Sequence, residues 1–369
     1  NKINISSAIN ATTATVINIA DGTTVDVTDA SSDTVVLDMA SGGSLTLTAD
    51  ATMATSTTIT DVVGLTIGSG AAAGDFAALA VDDTDTTSVT VGATTFAVDS
   101  GVLSLSSAVT SISAIANGAQ VTMSNAAEAE ALTTLTVSAT GANSDIGNVG
   151  GGGAAEAGDL ANIVLTSSGG NATIGNILAD TQIDTGAAGI AGDLAMTITS
   201  NAGAGDTSTI GTIDNEYGLI TINASGSGTT TIGQLTAGDL VVNASSETGA
   251  VTIDASVVAA AADITFGSGT NIYTVGKGND VITLGAAVGT DTVNMNNTAT
   301  AGDVYNISNF QMGAAGDTIA IDISATGGIA DGGGGASVTA AGASVVKAIA
   351  AGGTTVAAGD DVFTISDAI

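Results

Sequence analysis

Two nine-residue segments follow each other in register at residues 266–283, and this repeat constrains the fold more than any other feature of the chain. The segments read FGSGTNIYT and VGKGNDVIT, and both place glycines at their second and fourth positions. In each segment an amide or carboxylate residue, Asn271 or Asp280, stands just before a short run of β-favouring residues. Because glycine tolerates the tight backbone of a short loop, the pattern predicts a glycine turn that leads directly into a strand.

This pattern resembles the RTX (hemolysin-type calcium-binding) repeat of the parallel β-roll, G-G-x-G-x-D-x-U-x. The second segment carries the match through Gly276, Gly278, Asp280 and Ile282. Residues 307–321, ISNFQMGAAGDTIAI, resemble the strand that closes RTX rolls in secreted proteases and bacterial surface-layer proteins. The resemblance is strongest over about residues 263–321, and it implies a roll whose turns bind calcium.

Aspartate and asparagine residues recur through this region, and the resemblance makes them candidate calcium ligands. Calcium takes six to eight oxygen ligands, which stacked turns can supply from one side chain each together with backbone carbonyls. The alternative is a solvated acidic face that keeps the protein soluble. The residues assigned to calcium, with the turn glycines, are Asp263, Asn271, Gly276, Gly278, Asn279, Asp280, Asp291, Asp303 and Asp317.

The first third of the chain contains short β-favouring runs that start 9 to 10 residues apart, and they alternate apolar residues with Thr or Asp. This period of two is typical of strands with one buried face. Short turns favour antiparallel hairpins, whereas the even spacing also fits solenoid coils, so both arrangements stay open. Residues 71–80, AAAGDFAALA, are expected to form a helical turn or an inserted loop, and residues 125–132 a short helix.

An internal repeat between residues 140 and 265 indicates a solenoid. The motif Ile-Gly-x-Ile, or a close variant, begins at Ile146, Ile174, Ile210 and Ile232. Repeats of about 20 residues suit the coils of a parallel β-helix, with glycine at a corner and the apolar residues in the core. We therefore predict an all-β fold, a parallel β-solenoid or β-roll with a β-rich N-terminal region. The predicted parts are a β-rich N-terminal region (1–125), a β-helix-like repeat region (126–265) and an RTX-like calcium-binding region (266–369).

The charge of the chain restricts its partners. Lys and Arg together number 3 against 36 Asp and Glu, which gives a net charge of −33. Such a chain repels nucleic acid and anionic membrane surfaces and attracts divalent cations. Hydrophobic residues make up 44% of the chain, which favours a folded protein over a disordered one. We expect no direct membrane insertion, because no apolar run reaches the 18 residues of a transmembrane helix.

Catalysis is difficult to assemble from these residue types, and we predict no enzyme, no catalytic residue and no organic cofactor. Histidine and cysteine are absent, which excludes the usual nucleophilic triads and thiolate chemistry. A carboxylate pair for glycoside hydrolysis is still available among the acids. Aromatic residues that would stack on sugars make up only 2% of the chain.

The composition, rich in Thr, Ala, Gly and Val, resembles that of large bacterial surface-layer proteins that carry RTX repeats. We therefore expect a structural protein that self-assembles, with calcium, into a surface layer or an extracellular filament. Its partners would be copies of itself and a cell-surface polysaccharide. The alternatives are a calcium-dependent secreted adhesin and, third, a β-helix carbohydrate-active enzyme. The start, NKINISS, lacks the apolar core of a signal peptide, so either a segment was removed, or export uses a C-terminal signal, or the sequence is a fragment. The resemblance to RTX surface-layer proteins implies an extracellular, cell-surface location reached by type I secretion.

Overall fold

The computed structural model describes residues 2–5, 15–27, 35–39, 42–49, 52–81, 85–127, 131–150, 160–178, 195–285, 289–295, 304–311, 316–321 and 362–366. Regular structure in these segments consists of β-strands, and no α-helix occurs in them. The described segments accordingly contain no helix that is long and apolar enough to cross a membrane. The all-β prediction is confirmed.

The strands follow one another at short intervals along the chain. In order they are β1 (Lys2–Ile5), β2 (Thr15–Ile19), β3 (Thr23–Val27), β4 (Val35–Met39), β5 (Ser44–Ala49), β6 (Thr52–Thr60), β7 (Gly64–Ser69), β8 (Gly74–Val81), β9 (Ser88–Ala93), β10 (Val98–Asp99), β11 (Val102–Ser104), β12 (Ser111–Asn117), β13 (Val121–Ala127), β14 (Thr134–Thr140), β15 (Ser144–Val149), β16 (Asn162–Ser168), β17 (Ala172–Ile174), β18 (Ile177–Leu178), β19 (Met196–Ala202), β20 (Thr207–Ile210), β21 (Ile213–Gly226), β22 (Thr229–Glu247), β23 (Ala250–Asp254), β24 (Ala262–Thr265), β25 (Ile272–Thr274), β26 (Val281–Thr283), β27 (Thr292–Met295), β28 (Val304–Ser308), β29 (Thr318–Ile321) and β30 (Val362–Ser366).

These strands stack in parallel into two sheets that the chain visits alternately, so the protein is a parallel β-solenoid, as predicted. Sheet A contains β1, β3, β5, β7, β9, β12, β14, β16, β19, the second parts of β21 and β22, β24, β26, β28 and β30. Sheet B contains β2, β4, β6, β8, β10, β11, β13, β15, β17, β18, β20, the first parts of β21 and β22, β23, β25, β27 and β29.

The hairpin alternative for the first third of the chain is wrong. The described strands of this part do not pair with their neighbours in sequence: β1 pairs in parallel with β3, and β2 with β4. The Asp21-Gly22 turn, with Gly22 at φ 68°, carries the chain from sheet B across to sheet A instead of reversing it within one sheet. Asp21 Oδ1 accepts the N–H of Ser44 in the next coil at 3.0 Å, which ties the turn to its neighbour along the stack.

Alternate residues of each strand form one continuous apolar core between the sheets. In β14, Leu135, Val137 and Ala139 are fully buried, while the residues between them point outward and are half-exposed. Parallel pairing aligns identical positions of successive coils, so an apolar side chain stacks on an apolar one. Each buried side chain of Val or Leu size contributes about 1.5–3 kcal/mol to folding, and the core therefore stabilises the stack coil by coil.

The Ile-Gly-x-Ile motif marks a corner of the solenoid, as its pattern predicts. Ile174 pairs with Ile210 inside the core, and the glycines that follow them stack on each other. A Cβ at Gly211 would lie 2.6 Å from the carbonyl oxygen of Gly175, so only glycine permits this spacing. Beside the glycines, Asn176 Oδ1 accepts the N–H of Thr212 in the next coil at 3.0 Å, which satisfies a backbone donor at the bend.

Two local expectations are wrong. Residues 74–81 form strand β8 rather than a helical turn or loop, because Phe76, Leu79 and Val81 fall on the buried face and ladder bonds form with β6. Residues 125–127 belong to β13, and residues 128–130 lie outside the described residues. Tertiary pairing overrides the helix preference of alanine in both places. Strand pairing continues across residues 125/126 and 265/266, where we divided the chain.

Candidate functional site

The two nine-residue segments form consecutive halves of one coil. The first ends in β25 of sheet B and the second in β26 of sheet A. Asn271 and Asp280 therefore lie at opposite turns of the solenoid, and each stacks on residues of other coils rather than on its counterpart in the repeat. The segments match in sequence because both make a turn followed by a strand.

Three of the predicted ligands form a column at the entrance to sheet B. Asn271, Asp291 and Asp317 each stand directly before a strand, namely β25, β27 and β29. The backbone N–H of Asn271 donates to Asp291 Oδ1 at 2.9 Å, and that of Asp291 donates to Asp317 Oδ1 at 2.9 Å. Asp291 and Asp317 thus each accept the backbone N–H of the turn residue in the coil before them. These bonds fasten one coil to the next.

The remaining polar atoms of this column also have partners. Asp291 Oδ2 accepts the N–H of Gly285 at 3.0 Å, and Asp317 Oδ2 accepts that of Gln311 at 2.8 Å. Asn271 Nδ2 donates to the carbonyl oxygens of its own turn, those of Gly267 and Gly269, at 3.2 and 3.0 Å. The same nitrogen lies 2.9 Å from Asp291 Oδ1. The amide of Asn271 therefore occupies the centre of the turn as a hydrogen-bond donor.

One carboxyl group of this column, that of Asp291, has a shifted pKa. Burial raises the pKa of Asp291, hydrogen bonds from Asn271 and Gly285 lower it, and the nearby charge of Asp317 raises it. The net effect is a raised pKa for a carboxyl group that is only 2% exposed. A buried carboxylate next to a second one is a position where a bound cation would favour the charged form.

Asp280 lies on the opposite turn and is fully buried. Its Oδ1 accepts the N–H of Ala262, one coil back, at 2.9 Å, and its Oδ2 accepts the hydroxyl of Tyr273 at 3.3 Å. Burial raises the pKa of Tyr273 well above its usual range, and the negative charge of Asp280 adds to that shift. Tyr273 is therefore a neutral donor that helps to hold the carboxylate inside the fold.

The turn glycines have steric roles. Gly278 has φ 94°, a left-handed conformation that glycine adopts without strain. A Cβ at Gly276 would lie 2.6 Å from the carbonyl oxygen of Ala255, so glycine is needed there for close stacking of the coils. Asn279 follows in the turn with an exposed side chain.

The structure separates Asp263, another predicted ligand, from these turns. Asp263 lies within strand β24, where it points outward and is exposed between Val241 and Val281 of neighbouring coils. It therefore does not belong to the turn columns, because it lies inside a strand and not in the turn before one. Asp303 lies outside the described residues.

Glu247 is a buried acid that the sequence analysis did not single out. It is fully buried at the end of β22, and Oε1 accepts the N–H of Gly249 at 3.1 Å, whereas Oε2 has no hydrogen-bond partner. Burial raises its pKa. The signal in the sequence is the turn Glu-Thr-Gly before β23, which places an acid beside a glycine as the RTX-like turns do.

The described residues contain no group of three His, Cys, Asp or Glu side chains placed to hold one metal ion. The carboxylates of the turns instead accept backbone N–H groups of adjacent coils. Calcium would have to replace or extend these contacts, so calcium binding stays a prediction that rests on the resemblance to RTX repeats.

Comparison with known proteins assigns no relative. No family model matches the chain, and neither a curated protein nor a solved structure does. The fold and the chemistry of these turns are therefore the basis for any functional conclusion.

Proposed function

We propose that the protein is a structural component of the cell exterior, which self-assembles in the presence of calcium into a surface layer or filament. The observation that carries this proposal is the uninterrupted solenoid: strands stack in two parallel sheets through the described chain, around one apolar core. A solenoid presents the same backbone geometry at every coil, so its outer faces are repetitive and extended. Repetitive extended surfaces suit periodic assembly.

The charge of the chain supports an assembly that uses divalent cations. Two copies, each at −33, have almost no cationic side chains with which to form ion pairs across a contact. Monovalent salt screens their repulsion, with a Debye length of about 8 Å at physiological ionic strength, but provides no specific contact. A calcium ion shared between carboxylates of neighbouring coils or neighbouring copies would supply one.

The acids of the turn column, buried Asp291 and half-buried Asp317, support a role for calcium within the fold. Asp291 and Asp317 occupy adjacent coils, and burial together with their mutual repulsion raises the pKa of Asp291. A cation at this column would offset both effects. Calcium that binds only the folded chain stabilises it, by about 1.4 kcal/mol per site at ten times the dissociation constant.

The test is the state of the purified chain in calcium, in chelator, in magnesium, and in calcium with added sodium chloride. Electron microscopy and sedimentation should reveal an ordered layer or filament in calcium that survives sodium chloride and is lost in chelator. Assembly that persists in chelator but dissolves in sodium chloride would overturn the calcium proposal. A chain that stays monomeric in calcium and instead binds a polysaccharide or cell surface would indicate an adhesin.

A further inference from the structure

The outward side of sheet A is a flat array of small polar residues, which we call the hydroxyl face. It comprises three columns of outward side chains on the strands from β3 to β28. Strand pairing aligns one residue of each coil in the central column. That column begins with Thr24, Thr46, Thr66, Thr90, Ser113 and Thr136, and it continues with uncharged residues to Ser308.

The hydroxyl face carries almost none of the negative charge of the chain. Its described acids are Asp26 and Asp263. Asp26 is 4% exposed and accepts the hydroxyl of Thr48 at 2.7 Å, so it is turned into the sheet rather than towards a partner. Asp263 is thus the exposed acid of these columns, among the residues that the structure describes, and Asp239 is exposed at the rim of the face, two residues before Val241.

The outward side of sheet B, in contrast, carries several acidic residues. Its outward positions include Asp38, Asp75, Asp99 and Asp145, and Asp75 pairs directly with Asp99 on the next coil. Like charges on adjacent strands repel, and a second copy that approached this side would add to that repulsion. The charge is therefore segregated between the two outer sides of the solenoid.

Apolar side chains add to the hydroxyl face. Ile115, Val241 and Val281 point outward from it and are 37%, 36% and 45% exposed. Asp263 lies between Val241 and Val281, and Val164 lies in the central column. The other positions hold mostly Thr, Ser, Asn and Gly residues, whose small side chains leave the face level. A level face of this kind can approach a similar face closely, because no long charged side chain has to be desolvated.

We propose that the hydroxyl face is the surface by which a second copy of this chain docks, face to face. This inference rests on the proposed self-assembly and names one of its contacts. Because the same columns would meet on both copies, a two-fold arrangement makes the contact self-complementary. The two sheets would then pack at the spacing of a sheet sandwich, about 10 Å.

The size of the face is sufficient for a stable contact. The twelve intervals of about 4.8 Å between the thirteen sheet A strands from β3 to β28 span about 58 Å, and five residue positions span about 13 Å. A flat face of these dimensions covers about 750 Å² on each copy, or about 1,500 Å² in total, which is the area of a standard specific interface.

The test places the same charges on the two outer sides of the solenoid. The variant Thr90→Asp/Thr136→Asp charges two positions, two coils apart, at the centre of the hydroxyl face, and Thr173→Asp/Thr231→Asp charges two positions at the same spacing on an outward column of sheet B. All four threonines are half-exposed strand residues. Sedimentation of the full chain in calcium should show association at least tenfold weaker for the first variant and unchanged for the second.

A second readout uses the absence of cysteine from the chain. In the single variants Thr136→Cys and Thr209→Cys, assembly should slow thiol alkylation at position 136 and leave it unchanged at position 209. A wild-type chain that stays monomeric in calcium would defeat both the proposed function and this face. A wild-type chain that assembles, with both charged variants equally affected or both thiols equally accessible, would defeat the face alone.

Discussion

The carboxylate of Asp280 accepts the backbone N–H of Ala262, 18 residues earlier, at a distance of 2.9 Å inside the protein. This bond joins the end of one turn to the start of β24 in the preceding coil. The same relationship recurs on the other side of the solenoid, where Asp291 accepts the N–H of Asn271, 20 residues earlier. The acidic residues of the RTX-like turns therefore act as links between coils, and this role leads to several measurable consequences.

Replacing Asp280 by alanine should destabilise the fold. The change leaves the buried N–H of Ala262 and the hydroxyl of Tyr273 without this acceptor, at a cost of about 1–3 kcal/mol for each unsatisfied group. The control is Asp263→Ala, since that side chain is exposed on the neighbouring strand and its loss should change stability by less than about 0.5 kcal/mol. Urea unfolding of both variants in chelator measures the difference in stability. Equal urea midpoints would contradict the role of Asp280 as a link between coils.

Asn271→Asp should make the RTX-like turn dependent on calcium. The amide nitrogen faces the carbonyl oxygens of Gly267 and Gly269 and a carboxylate oxygen of Asp291. A carboxylate in its place faces three acceptors, and an uncompensated buried charge costs about 3–5 kcal/mol. In chelator the variant should therefore unfold at a lower temperature than wild type, and calcium should restore much of the loss because the cation binds all these oxygens.

The matched control for this experiment is Asn143→Asp, which adds the same charge at an exposed turn position directly before β15 and keeps the oxygen that accepts the N–H of Asn171. Its unfolding temperature should respond to calcium as wild type does. Magnesium, which is smaller and dehydrates reluctantly, should rescue Asn271→Asp less well. A loss of the same size in calcium and in chelator would mean that this turn does not take calcium.

Gly211→Ala should weaken the corner of the solenoid. The new Cβ would lie 2.6 Å from the carbonyl oxygen of Gly175, so the backbone of one coil has to shift, and overpacking of this kind costs about 1–3 kcal/mol. Gly64→Ala is the control, because its Cβ would meet the hydroxyl oxygens of Ser88 and Ser44 at 3.6 and 3.8 Å, which are ordinary contacts. Thermal unfolding should rank wild type and Gly64→Ala together, with Gly211→Ala below them. Equal stability of the two variants would show that the corner relaxes freely.

The raised pKa of Asp291 predicts a pH dependence of stability. The folded state holds the proton more tightly than the unfolded chain, where the pKa has its ordinary value of 3.8. The contribution of Asp291 to the free energy of unfolding therefore falls as the pH rises from that value to the raised pKa of the folded state. Above the raised pKa this contribution is constant. Relative to wild type, Asp291→Asn should become more stable across this window, as measured by urea unfolding at a series of pH values.

The exposed change Asp263→Asn removes the same charge without altering the buried column, and it corrects for the general repulsion in so acidic a chain. The stability difference between wild type and Asp291→Asn is compared at each pH with the difference between wild type and Asp263→Asn. If the first varies with pH no more than the second, the result would argue against the burial of Asp291.

Much of the solenoid could be predicted from the sequence, because the relevant signals are local. The alternation in segments such as Leu45-Thr46-Leu47 identifies a strand with one buried face, and Ile-Gly-x-Ile identifies an apolar pair on either side of a corner. The turn residues Asn271, Asp280, Asp291 and Asp317 were also found from their position before a β run. The helical turn or loop predicted for residues 71–80 is wrong where β8 begins at Gly74, because alanine favours helix and the pairing with β6 that decides otherwise is distant in sequence.

The sequence by itself determined that the chain is all-β, that its strands have an inner and an outer side, and where its turns begin. These properties follow from side-chain alternation and from glycine, which act within a few residues. Only the tertiary structure decided which strands pair, since the number of residues between paired strands varies from coil to coil. That pairing brings Asn271 against Asp291, and it aligns Thr90 with Ser113 and Thr136. The segregation of charge to one outer side follows from the pairing as well, because it depends on how residues of different coils line up.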